Sequence, residues 1–174
     1  MKISTVEELN RFSISVHDLE DSQKFLSESL NYEYGSITNE ALLIAAILYL
    51  ARPFSANEKK KTKAISNLKI EWFSELTQKE LALLKALLEI RNKCLAHAEY
   101  NFYPAGVDNV TGVLKMRRFS ICDSRIDIQL FQSLLSKLIK QAHNKRADYT
   151  FEIRRKTKAT LPHKKMVNIK NDNE

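Results

Sequence analysis

Turn-forming and cross-linking residues are scarce in this chain, which has three glycines, three prolines and two cysteines among 174 residues. So few glycines and prolines exclude a turn-rich chain and, with 44% apolar residues, describe long regular elements, helices above all. The two cysteines, Cys94 and Cys122, stand in apolar surroundings. They are too few for a disulfide framework and lack metal-site spacing, which fits a reducing cytoplasm. Long hydrophobic runs are also missing. The longest, "ALLIAAILYLA" from Ala41 to Ala51, is about half of the ~20 residues that cross a bilayer, so a buried core helix is expected there and no membrane partner. No charged-then-apolar leader opens the chain. The length suits one domain with a substantial core.

Charge is present and unevenly placed. Residues 145 to 174 hold nine Lys/Arg against four Asp/Glu, so this end carries five of the seven net positive charges. Residues 1 to 146 are therefore expected as a helical bundle and 147 to 174 as a basic C-terminal tail. Such a tail attracts phosphate backbones or anionic headgroups by long-range Coulomb forces, or is simply a solvated segment that aids solubility.

Four long helices are expected. In the first, Thr5 and Glu8 have capping-box spacing, and Leu9, Phe12, Val16, Leu19, Leu26 and Leu30 follow a helical alternation broken only by Gln23, ending near Gly35. The second starts at Thr38 or Asn39, is apolar nearly all round, and stops where Pro53 disfavours α geometry at Arg52. After the charged connector "NEKKKTK", Ile65, Leu68 and Trp72 bring the chain back to the core as a short helix or an ordered loop. Thr77 and Glu80 cap the third helix, which is expected to run to about Ala98. Residues 101 to 112 hold two of the three glycines and a proline and read as a loop; "VLKMRRFSI" after it reads as a short strand or an irregular packing segment. The fourth helix is capped by Asp123 or Ser124 and carries stripes of Ile126, Leu130, Leu134, Leu138 and Ala142, and of Phe131, Leu135 and Ile139. His143, Lys145 and Arg146 suit the negative end of its dipole. Beyond it, "DYTFEIRR" alternates as an extended segment would.

Two polar residues stand on the apolar stripes of the third helix. One stripe is Leu81, Leu84, Leu88, Arg91 and Leu95; the other is Leu83, Leu87, Ile90, Cys94 and His97. Burying a guanidinium costs several kcal/mol unless it is paired, so Arg91 calls for a carboxylate, a phosphate or a wet interface. The structural alternative is that Arg91 snorkels to solvent or pairs with Glu89, Glu99 or an acidic neighbour elsewhere, while His97 is a half-buried histidine near a helix C-terminus. His17, His143 and His163 are scattered and read as surface residues.

The wording "RNKCLAH", with Asn92 after the arginine and Ala96 before the histidine near the end of a long helix, resembles the R-x(4-6)-H motif of the HEPN superfamily (higher eukaryotes and prokaryotes nucleotide-binding domain). It is most similar to the abortive-infection and toxin-like branch, and the likeness in layout covers roughly residues 36 to 145. The tail and the loop insertion at residues 99 to 122, before the last long helix, lie outside the likeness; the resemblance implies an all-α bundle of four to five helices that forms a homodimer in which two motifs meet in a cleft. It implies RNA as partner and, in active members, metal-independent cleavage by the arginine and the histidine, with no cofactor. By position Arg91 matches the motif arginine, His97 the histidine and Asn92 the polar residue that follows. Some toxins of this group add a tyrosine two residues after the histidine; here Glu99 stands there and Tyr100 comes one later.

On an ideal α-helix, residues six apart point about 120° away from each other, so one helix alone does not converge Arg91 and His97. The length of the arginine, fraying at the helix end or a second copy of the motif across a two-fold axis would, and a symmetric dimer does so with one interface. In RNA cleavage a neutral imidazole can take the proton of the attacking 2′-hydroxyl, and a guanidinium can hold the phosphoryl oxygens as negative charge develops. His97 is then the general base and Arg91 the electrostatic stabiliser, with Asn92 orienting phosphate or ribose. No H-E-x-x-H, P-loop, G-x-S-x-G or carboxylate cluster competes. The expected function is a cytoplasmic, metal-independent endoribonuclease of defence or toxin type, with an antitoxin or neighbouring-gene product as a further partner. Two alternatives stay open: a non-catalytic RNA- or nucleotide-binding module, and a structural helical adaptor whose motif only builds a dimer contact.

Overall fold

The computed structural model describes residues 3–55, 67–95, 105–107, 114–116 and 120–156, and these form an essentially all-helical domain. Four long helices, α1 (Ile3–Ser29), α2 (Ile37–Ala51), α3 (Gln78–Ile90) and α4 (Ile128–Lys156), carry the fold. Helix α1 packs along both α2 and α4, and α3 closes the bundle against α4 and α2. Between α3 and α4 lies an antiparallel hairpin, β1 (Ala105–Val107) and β2 (Leu114–Met116), in the register Ala105↔Met116. β2 falls in the segment read as strand or irregular, whereas β1 falls in the segment expected to be a loop.

The expected stripes supply the core. Phe12, Val16, Leu19 and Leu26 of α1, Leu43, Ile47 and Leu50 of α2, Leu84 and Leu87 of α3, and Phe131, Leu134, Leu135 and Leu138 of α4 are all buried. Each such side chain contributes about 1.5–3 kcal/mol relative to exposure. A second α1 stripe, invisible to hydrophobic pattern, is Ser15, Ser22 and Ser29, spaced by seven and fully buried. Ser15 and Ser29 turn their hydroxyls to carbonyls of their own helix. Ser22 donates across to the Ala46 carbonyl at 2.7 Å, so a short side chain and a small neighbour let α1 and α2 lie close. Gln23, the break in the apolar pattern, donates to Ser136 of α4 at 3.3 Å.

Helix boundaries depart from expectation for local reasons. Thr5 lies inside α1 rather than at its cap. Helix α1 stops at Ser29 rather than near Gly35, because buried Asn39 donates to the Ser29 carbonyl (2.8 Å) and accepts from the Gly35 amide (3.2 Å). Gly35 has a φ of 83°, where a side chain would be strained. Ser36, not Thr38 or Asn39, caps α2 by accepting from the Asn39 amide. At its far end α2 tightens into a 3-10 turn, Arg52–Phe54, in which Arg52 keeps α-region angles despite the following proline. The span Ile37–Phe54 is apolar enough, by length and composition, to cross a membrane. Asn39, Leu43, Ala46, Ile47, Leu50 and Ala51 within it are nevertheless buried in the bundle. The returning segment is one 3-10 turn, Ile70–Trp72, anchored by buried Leu68, whose amide donates to Pro53 O; Ile65 lies outside the described residues.

Helix α4 begins later and ends later than its sequence suggests. Residues Ile121–Ser124 form a 3-10 turn closed by Arg125 in the left-handed region, and Asp127 caps α4 by accepting from the Leu130 amide at 2.9 Å. The helix then runs past residue 146, the expected domain boundary, through "DYTFEIRR" to Lys156. Tyr149 stacks at 5.9 Å on Phe12 and Ile153 is buried, so this stretch belongs to the bundle and is not extended. Residues 157 to 174 lie outside the described part of the chain.

Candidate functional site: the end of the third helix

Helix α3 is anchored at its start by a satisfied charge. Thr77 and Glu80 form the expected capping box, and the buried Glu80 carboxylate also accepts from Ser133 and Lys137 of α4, both at 2.8 Å. Burial alone would raise the pKa of Glu80, but the bonds from Lys137, Thr77 and Ser133 outweigh it and hold the carboxyl down at about 2. This cluster fixes the position of α3 against α4 and therefore the direction in which its other end points.

At that other end the helix changes form. The α-helix closes at Ile90, and Arg91–Leu95, the sequence RNKCL, is a π-helical turn. Such wide turns are rare and are found disproportionately at functional sites. The angle of about 120° between Arg91 and His97 assumed an ideal α-helix, and the π-turn removes that premise. Arg91 is half-buried and its Nη1 donates to Asn92 Oδ1 at 2.9 Å. Glu89, the nearest candidate carboxylate, is engaged by Lys93 at 2.7 Å. Among the described residues Arg91 pairs with no carboxylate, and its remaining N–H groups have no protein acceptor. The structure thus brings Arg91 and Asn92 together. His97, Glu99 and Tyr100 lie outside the described residues.

No family model matches this chain, and neither does any curated protein or solved structure. The residues themselves must therefore carry the functional reading. Chemically, the α3 terminus offers a delocalised cation with open donors beside an amide, a set suited to phosphoryl oxygens. Among the described residues no group of three or more His, Cys, Asp or Glu side chains is placed to hold a metal ion.

A second polar cluster was not legible in the sequence. Glu20 of α1 receives His17 on one carboxylate oxygen (3.1 Å) and His143 of α4 on the other (2.8 Å), and Arg146 lies 3.1 Å from His143 Nδ1. An arginine cannot accept, so Nδ1 is the acceptor and the His143 proton sits on Nε2, donated to Glu20. His17 and His143, read as scattered, meet on one carboxylate. The only local signals are the i,i+3 pairs His17–Glu20 and His143–Arg146; the 123-residue separation between Glu20 and His143 hides the rest.

Proposed function

We propose that the protein is a metal-independent endoribonuclease of HEPN type, of the defence or toxin class, acting as a homodimer. The observation that carries the reading is Arg91: a half-buried cation in a π-turn, held by Asn92 and by no carboxylate among the described residues. A structural arginine at a partly buried position ordinarily has an acidic partner, because desolvating an unpaired guanidinium is costly. Arg91 instead keeps open donors, as a phosphate-binding residue must. The RNKCLAH wording supplies the second group, His97, six positions along the chain.

In this mechanism His97 accepts the 2′-hydroxyl proton as the oxygen attacks the adjacent phosphorus. Arg91 donates two parallel hydrogen bonds to the phosphoryl oxygens as charge builds on them, and Asn92 holds the guanidinium in plane while its exposed amide orients the ribose or phosphate. Two copies across a two-fold axis supply the site. The decisive assay is RNA cleavage by purified protein in excess EDTA. Wild type is expected to release products ending in 2′,3′-cyclic phosphate, and His97→Ala to abolish cleavage while keeping its helical circular dichroism. Light scattering should give twice the 20.1 kDa chain mass. A folded wild type that cuts no RNA, or His97→Ala cutting at the wild-type rate, overturns the enzymatic reading. RNA binding without cleavage would instead select the non-catalytic module.

A further inference from the structure

The last three turns of α4 have two unlike sides. One side packs: Tyr149 lies on Phe12, Ile153 is buried, and Lys145 sits over the Trp72 ring at 5.8 Å. The other side is an open depression of about 560 Å³ lined by residues of α4 alone among the described part of the chain, including His143, Arg146, Ala147, Thr150, Phe151 and Arg154. Phe151 is 71% exposed, against 6% for Ile153 two positions on. On a helix, residues three and four apart are neighbours, so Arg154 and Arg155 flank the Phe151 ring on one side, and the short Ala147 leaves the other side open.

The charge of this face is one-sided. At about 100° per residue, Arg154 points about 80° from Arg146 and about 60° from Phe151, all on the side of the depression, whereas Arg155 points about 180° from Arg146, next to Asp148, and Glu152 turns to the far side; neither acid lines the depression. The nearby carboxylate of α1, Glu20, already receives both His17 and His143. Among the described residues no ion pair engages Arg154 or Arg155, and the Arg146 guanidinium contacts only the lone pair of His143 Nδ1, which a phosphate oxygen would outcompete. Arg146 and Arg154 are about 12 Å apart along the axis, which gives two anchor points on one strand. An exposed aromatic ring between arginines is the arrangement that binds single-stranded nucleic acid, where bases stack on the ring and cations track the backbone. An anionic bilayer is a poorer match. Among the described residues the other exposed large apolar side chains, Ile14, Leu30, Tyr32, Tyr34, Ile37 and Leu48, belong to α1, α2 and their connection, so that Phe151 is the one such residue this face offers for insertion.

We propose that this face of α4 is a single-stranded RNA-binding surface, in which Arg146 and Arg154 hold phosphates and Phe151 stacks a base. It shares with the endoribonuclease reading only the ligand class. The test uses full-length protein and a fluorescent 2′-O-methyl oligoribonucleotide of about 16 nucleotides, which lacks the cleavage nucleophile, read by anisotropy over a salt series. Phe151→Ala should weaken binding by about 5- to 100-fold, and Phe151→Tyr should restore it where Phe151→Leu does not. Arg146→Gln combined with Arg154→Gln should flatten the slope of log K against log salt by about 1.4. Thermal unfolding by circular dichroism should leave the exposed-face variants with the wild-type midpoint. The proposal is overturned if Phe151→Leu binds as tightly as wild type, if the double arginine variant keeps the full salt slope, or if wild type binds phosphatidylglycerol vesicles but not the oligonucleotide. Cleavage assays on the same variants separate the two readings. Binding lost with the α4 variants in a protein that never cuts RNA leaves this surface standing and removes the enzyme; cleavage and binding unchanged by them removes the surface alone.

Discussion

The two ends of α3 hold charges in opposite ways. At its start Glu80, 2% exposed, receives hydrogen bonds from its own cap residue Thr77, from Ser133 and from Lys137. At its end Arg91 has one neighbouring amide oxygen and no acid among the described residues. A charge surrounded by fixed donors is a structural device: it orients two helices and has nothing left to offer a ligand. A charge held in place with donors to spare is what a ligand-binding site requires. The same helix therefore spends its first turn on rigidity and its last on availability, and the π-turn at Arg91–Leu95 marks where one use gives way to the other.

The contrast breaks most visibly if the wrong end is altered. Arg91→Ala should lower RNA cleavage by at least about 100-fold, because it removes the cation that opposes transition-state charge, while unfolding free energy changes by less than about 0.5 kcal/mol. Arg91→Lys should also cut poorly, since a point charge cannot donate two parallel bonds. Single-turnover cleavage beside urea denaturation checks both. A large stability loss in Arg91→Ala would make Arg91 structural and erase the difference between the two ends.

Glu80→Ala should do the reverse. Removing one partner of a buried, hydrogen-bonded pair leaves Lys137 and the Thr77 amide unanswered and should cost about 3 kcal/mol in urea denaturation. Any loss of cleavage should follow the folded fraction. A cost below about 1 kcal/mol would mean that Lys137 and Ser133 are solvated alternatives and that the capping box alone holds the helix start.

Acid sharpens the contrast further. Glu80 is held at about 2 in the folded chain against an ordinary 4.5, so its contribution is fully present above about pH 4.5 and is lost as pH falls from there through about 2. Asp18 has the opposite sign. Burial, only partly offset by Arg52 at 3.1 Å and by Arg11, raises its carboxyl above the ordinary 3.8, and its Oδ2 has no hydrogen-bond partner among the described residues. Its contribution is present at low pH and is lost as pH rises through the raised value. Stability followed by circular dichroism between about pH 2 and pH 6 should therefore lose its acid-side drop in Glu80→Ala but keep it in Asp18→Asn.

The smallest effect is expected at Asp18 itself. Asp18→Asn removes a desolvated charge along with its attraction to Arg52, and the two changes should nearly cancel, leaving stability within about 1 kcal/mol of wild type at neutral pH. A loss of several kcal/mol would put Asp18 in the same class as Glu80.

Much of the core was legible because burial follows period. The stripes of α1, α3 and α4, the apolar α2 and the Thr77–Glu80 capping box all announce themselves within a few residues, and so does the pair of polar residues interrupting the α3 stripes. The Ser15–Ser22–Ser29 stripe was not, since serine is equally at home on a surface and only the approach of α2 makes it interior. The C-terminal half of α4 was misread for a related reason. "DYTFEIRR" has a strand-like alternation, but Tyr149 and Ile153 are four apart and share a helix face that finds Phe12 waiting.

By itself the sequence determined an all-helical chain, the faces of its helices, and the placement of Arg91 and Asn92 near one helix end, because each of these depends on spacing along the chain. Only the tertiary structure decided the rest. It turned the α3 terminus into a π-turn, gave Glu80 its partners from α4, left Arg91 without an acid among the described residues, and gathered His17, His143 and Arg146 around Glu20. Those outcomes depend on which groups from distant segments arrive within about 3 Å of each other. Hydrogen bonds and charge pairs of that range are set by how helices pack, and packing is a property of the whole core rather than of any one stretch of residues.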